Sequence, residues 1–65
     1  MITFRFYLDG DLRYTRQCPA GSPIPRPGET VTLTDDDLTY TVLSVAYEFT
    51  SEGSPAEVII GIDHF

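Results

Sequence analysis

Two arginines and a tyrosine near the N-terminus, Arg5, Tyr7 and Arg13, are the strongest candidates in this chain for gripping a ligand. If the first two runs of alternating residues pair across a three-residue turn, Tyr7 stands opposite Arg13 and Arg5 opposite Thr15, all on the face away from the core. Two guanidinium groups then flank one phenol ring. Such a patch can stack a nucleobase on the ring and hold phosphate oxygens bidentately. Arg26, in a proline-stiffened stretch, could join from the neighbouring loop or from another subunit. The ligand-site expectation is therefore Arg5, Tyr7, Arg13 and Arg26, for a small anionic nucleotide-like ligand. The competing reading is a solvated cation–π pair on a strand surface.

Catalytic and metal chemistry find less material. Asp63 and His64 are adjacent, so on a strand they point to opposite faces and cannot form an acid–base pair. Cys18 falls in a core-facing phase and is read as a structural cysteine rather than a nucleophile for His64. The triplet Asp35, Asp36 and Asp37 lacks the glycine and the additional oxygens of a calcium loop, and is read as a solvated turn. The chain is thus expected to be non-enzymatic, with no cofactor and no metal.

Sixty-five residues allow one domain, residues 1–65, because a chain this short has no room for a second core. With one cysteine and no zinc-ligand spacing, neither usual staple of small scaffolds is available. Self-association is the staple that remains, so a homo-oligomer is expected. Four phenylalanines and four tyrosines, at roughly 150–250 Å² each, can supply much of a small core. There is no secretory start and no apolar run approaching ~20 residues, which predicts a cytoplasmic protein (host cytoplasm if viral) without a membrane partner.

The formal charge is −6, which argues against duplex nucleic acid as a partner, since that affinity comes from neutralised phosphates. Its distribution is uneven. All four basic residues are arginines within the first 26 positions, whereas Glu29 onward carries eight acids and no base. That acidic surplus, with Asp35, Asp36, Asp37 and Glu52 at turns, makes a surface for a host protein partner; Ile59 and Phe65 add an apolar patch for self-association.

The elements that must hold these residues are strands. Ile2, Phe4, Phe6 and Leu8 alternate, as do Leu12, Tyr14 and Cys18 across Asp9-Gly10-Asp11, which predicts a hairpin pairing Leu8 with Leu12, Phe6 with Tyr14, Phe4 with Arg16 and Ile2 with Cys18. Val31 and Leu33 form a third strand. In the fourth, Leu38–Thr50, the apolar phase passes from Tyr40 and Val42 to Val45, Tyr47 and Phe49, so a bulge is expected near Leu43-Ser44. Residues 51–55 read as a turn, and Val58, Ile60 and Ile62 face inward from the last strand. Five strands with no helical periodicity predict a small antiparallel SH3-like or OB-like barrel. The stretch PAGSPIPRPG at 19–28 contains no PxxP and follows a hairpin too small to be a domain, so it is read as a stiff loop after that hairpin.

Pro27-Gly28-Glu29-Thr30-Val31-Thr32-Leu33, followed by Tyr40-Thr41-Val42-Leu43-Ser44-Val45, resembles the P-x-G-x-x-V-x-L … Y-x-V-x-x-V pattern of small SH3-like barrels. The pattern is similar to KOW-type modules and to short barrel proteins encoded by phages. Three aspartates stand where a KOW module has turn glycines. The resemblance implies a barrel fold and a phage origin, with no chemistry attached. Together these readings give an interaction module, an oligomeric phage accessory protein that blocks a host partner. The alternatives are an anti-defence sponge that sequesters a nucleotide-like ligand, and a structural virion component.

Overall fold

A computed structural model of the chain describes residues 1–19, 21–34, 36–49 and 55–65. The strands are β1 (Ile2–Leu8), β2 (Asp11–Cys18), β3 (Thr30–Leu33), β4 (Leu38–Phe49) and β5 (Pro55–His64). They make one curled sheet in the order β2-β1-β5-β4-β3, a half-barrel, and the all-β, five-strand reading of the sequence holds. Among the described residues, no helix is long and apolar enough to cross a membrane.

Every strand lies beside its successor in sequence except β2 and β3, which are the two edges. The expected all-antiparallel pairing is corrected at one place: β1 and β5 are parallel, Phe4 beside Val58 and Phe6 beside Ile60. β1 and β5 are not joined by a hairpin turn, so no local connection forces them to run in opposite directions. The parallel pair joins the first strand to the last.

β1 is paired on both sides, and its strict alternation of apolar and polar residues becomes a strict alternation of burial. Ile2, Phe4, Phe6 and Leu8 enter the core with Val58, Ile60 and Ile62 of β5, Tyr40 and Val42 of β4, and Leu33 of β3. Ile24 of the connecting loop and Val45 pack against this cluster from its margin.

The hairpin register needs a correction near its turn. Asp9 (φ 53°) and Gly10 (φ 82°) both take the left-handed conformation, so the loop has two residues in the manner of a type I′ turn rather than three. Leu8 therefore pairs with Asp11 and Tyr7 with Leu12. A bulge then leaves Arg13 as the additional residue and restores the expected pairs Phe6–Tyr14, Arg5–Thr15, Phe4–Arg16 and Ile2–Cys18. The bulge expected in β4 is present: Val42 pairs with Ile62 and Ser44 with Gly61, leaving Leu43 over. Gly61 permits that close approach, since a Cβ there would stand 2.6 Å from the Ser44 Oγ.

The proline-rich connection ends in a built turn. The Glu29 N–H donates to the Arg26 carbonyl at 3.0 Å, with Pro27 and Gly28 (φ 92°) between them, the residue pair and φ sign of a type II turn. Gly28 N–H then donates to the Val42 carbonyl and Val42 N–H to the Glu29 carbonyl, both at 2.8 Å, which fastens the loop to β4. Ile24, whose side chain packs on the core, is half-buried.

Candidate functional site

Curling brings β2 and β3 to the two sides of a groove of about 340 Å³. Phe4 and Phe6 of β1 line it together with Tyr14, Arg16 and Cys18 from β2. Pro23 and Pro25 stand along the connecting loop, and Val31–Thr34 form the β3 side. β2 and β3 run antiparallel to each other, which follows from the pairings round the sheet, so their edges are oriented for ordinary ladder bonds. They are not paired. The prolines lining the interval have no N–H to donate and hold the connecting chain near polyproline II, so they cannot supply the missing ladder.

The β2 wall is aromatic and charged. The Tyr14 ring lies 5.9 Å from that of Phe6, and the Arg16 guanidinium carbon lies 5.5 Å from the Tyr14 centroid, on the same face of β2. Phe6, Tyr14 and Arg16 thus lead from the core outward. Cys18 is a free, half-buried thiol at the end where β1 begins, whereas His64 pairs with Tyr40 at the opposite end of the sheet. No nucleophile–base pair is assembled from these two residues. Among the described residues there is no group of three His, Cys, Asp or Glu side chains fit to hold a metal ion.

The four residues of the expected ligand patch are placed as follows. Arg5 and Tyr7 are half-buried on the outer face of β1, as alternation requires. The Arg5 guanidinium is engaged by Glu57, Nη2 to Oε1 at 2.8 Å, and its Nε is buried without a partner. Tyr7 faces Leu12, and Arg13 sits exposed in the bulge, so the expected Tyr7–Arg13 pairing is corrected by the shorter turn. Arg26 is exposed on the loop, and its main-chain N–H donates to Glu29 Oε1 at 2.7 Å. None of the four lines the groove.

Of the expected interaction surface, Asp35 and Glu52 lie outside the described residues, as do residues 51–54 of the predicted turn, while Pro55 belongs to β5. Asp36 is a structural residue rather than a merely solvated one. Its Oδ2 accepts from the Tyr40 hydroxyl at 2.5 Å and its Oδ1 from the Leu38 N–H at 3.0 Å. The hydroxyl bond first, then the backbone bond, hold the Asp36 carboxyl below its ordinary value, and the Arg13 charge adds to the effect. Asp37 takes a left-handed φ of 60° at the turn. Ile59 is half-buried beside Arg5, and Phe65 is exposed after β5.

The groove residues were legible in part. The predicted register places Arg16 opposite Phe4, on the inward phase shared by Tyr14 and Cys18, so a charge stands where alternation calls for an apolar side chain. That misplaced arginine is the signal. What alternation alone does not give is an opening beside it, because the separation of β2 from β3 is a property of the whole sheet. Comparison with protein-family models, with curated proteins and with solved structures finds no match to this chain.

Proposed function

We propose that this protein is a non-enzymatic binding module and that its working surface is the groove between β2 and β3. The observation that carries the reading is a cavity of about 340 Å³ floored by core phenylalanines and bordered by two unpaired strand edges. Volumes of ~300–1,000 Å³ with mostly apolar walls and a few polar groups are typical of ligand sites. The setting proposed with it is that of an oligomeric phage accessory protein acting on a host partner, of the small SH3-like barrel class. Support for that class is the 27–45 pattern, which falls on the Arg26–Glu29 turn and the β3–β4 hairpin.

Self-association has its own support. Among the described residues β3 pairs only with Leu38–Thr41 of β4, and farther along β4 Tyr47 and Phe49 stack at 6.3 Å while 47% and 64% exposed. Light scattering tests it; a monomer at all concentrations removes it.

For the groove, the experiment is a fragment screen by ¹⁵N amide shifts, repeated after alkylating Cys18 with N-ethylmaleimide, which places a bulky group inside the cavity. Hits that cluster on residues 4–6, 14–18 and 31–34 and vanish on alkylation are expected. Hits scattered over the surface, or unaffected by alkylation, dispose of the groove as the working surface.

A further inference from the structure

Arg16 decides what kind of ligand the groove suits. Its neighbours in phase, Tyr14 and Cys18, pack against the core, and its alternation partner Phe4 is 4% exposed. Arg16 itself is exposed, so its guanidinium head reaches solvent while the side chain borders the groove. Among the described residues no carboxylate claims it: the ion pair is Arg5–Glu57, and no acidic side chain lines the groove. The guanidinium instead lies over the Tyr14 ring, and among the described residues no side chain forms a salt bridge with it.

From this we infer that the groove binds a small planar aromatic carboxylate, an inference that rests on the groove being the binding surface. The flat body lies along Phe4, Phe6 and Tyr14 between the proline wall and β3. The carboxylate meets Arg16, whose fork matches two oxygens in one plane. Among the described residues, Arg16 is the charged one lining the cavity, so one oxyanion is neutralised there. The remainder of the chain carries a net negative charge, −6 in total, which disfavours di- and triphosphates. A cavity of about 340 Å³ is at the small end of ligand sites, matching two fused rings better than a whole dinucleotide.

The test compares 2-naphthoate with the neutral 2-naphthalenemethanol by calorimetry and amide shifts, on the wild type and on Arg16→Gln and Arg16→Lys. Arg16 is exposed, so both variants should keep wild-type spectra, and a thermal melt checks that they do. Naphthoate should shift amides at Phe4–Phe6, Tyr14–Cys18 and Val31–Thr34, and bind about tenfold more weakly to Arg16→Gln, the size expected for one charge-assisted hydrogen-bonded contact at a partly open site. Arg16→Lys should recover only part of that loss, and the alcohol should be indifferent to either substitution. If the alcohol binds in the groove as well as the acid, or Arg16→Gln leaves naphthoate unchanged, the carboxylate inference is wrong while the groove reading stands. If neither compound binds there, the inference is also wrong, and the fragment screen alone then judges the groove.

Discussion

β1 and β2 are two arms of one hairpin with similar alternation in sequence, yet they end in different surroundings. In β1 every second residue is buried; in β2, Tyr14 and Cys18 are half-buried and the rest exposed. The difference lies in neighbours. β1 is paired on both sides, by β2 and β5, whereas β2 is paired on one. An inward-pointing side chain on an interior strand meets core from both neighbouring strands, and the same side chain on the edge strand becomes a wall with space beyond it. Burial is thus conferred by the sheet, and alternation only says which side chains are eligible for it.

The largest effect that tests this contrast is a pair of truncations across one rung. Phe6→Ala should cost about 3–5 kcal/mol and leave so small a domain largely unfolded. Its partner Tyr14→Ala, half-buried, should cost roughly 1–2 kcal/mol in urea unfolding, because much of the ring already faces the groove. Equal losses would mean that β2 is as enclosed as β1 and that the opening is not present in solution.

A smaller effect probes the fully paired side. Gly61→Ala puts a Cβ against the Ser44 Oγ, and since that hydroxyl can rotate, the loss should be about 1 kcal/mol. In a Ser44→Ala background the loss should shrink. A penalty that persists there would point to backbone strain instead, and would weaken the account of the β4 bulge.

The smallest effect is read from pH. Because the Asp36 carboxyl is held below its ordinary value near 3.8, its ionised form is favoured by folding. The corresponding stability is present above that ordinary value and is lost as pH falls through the lowered one. Asp36→Asn should therefore melt below the wild type at neutral pH, with the gap closing toward pH 2. A gap that stays constant would show that Asp36 does not act through its charge on Tyr40 and Leu38.

Much of the fold could be read from particular residues. Val42 and Val45 announced the bulge between them, and Ile2 to Leu8 announced a strand with one inward face, because period-two patterning over a buried face leaves one register that buries the apolar set. The turn was harder. Asp9-Gly10 suits a two-residue type I′ loop, but choosing the longer turn kept the apolar partners matched, and the chain reaches the same match by placing a bulge at Arg13. Two local solutions gave the same distant register, so the pattern could not separate them, and the difference moved Arg13 out of line with Tyr7. For the candidate site, Arg16's inward phase was visible while the Arg5–Glu57 ion pair was not. The latter joins residues 52 positions apart, and only the parallel β1–β5 contact brings them together.

By itself, the sequence determined the five strands and their inward faces, since alternation and turn residues act within a few residues of each other. The tertiary structure alone decided that β1 and β5 run parallel, which edges stay unpaired, and that Arg16 borders a cavity. Those outcomes depend on how five strands pair and curl into one open sheet, and no short segment carries that information.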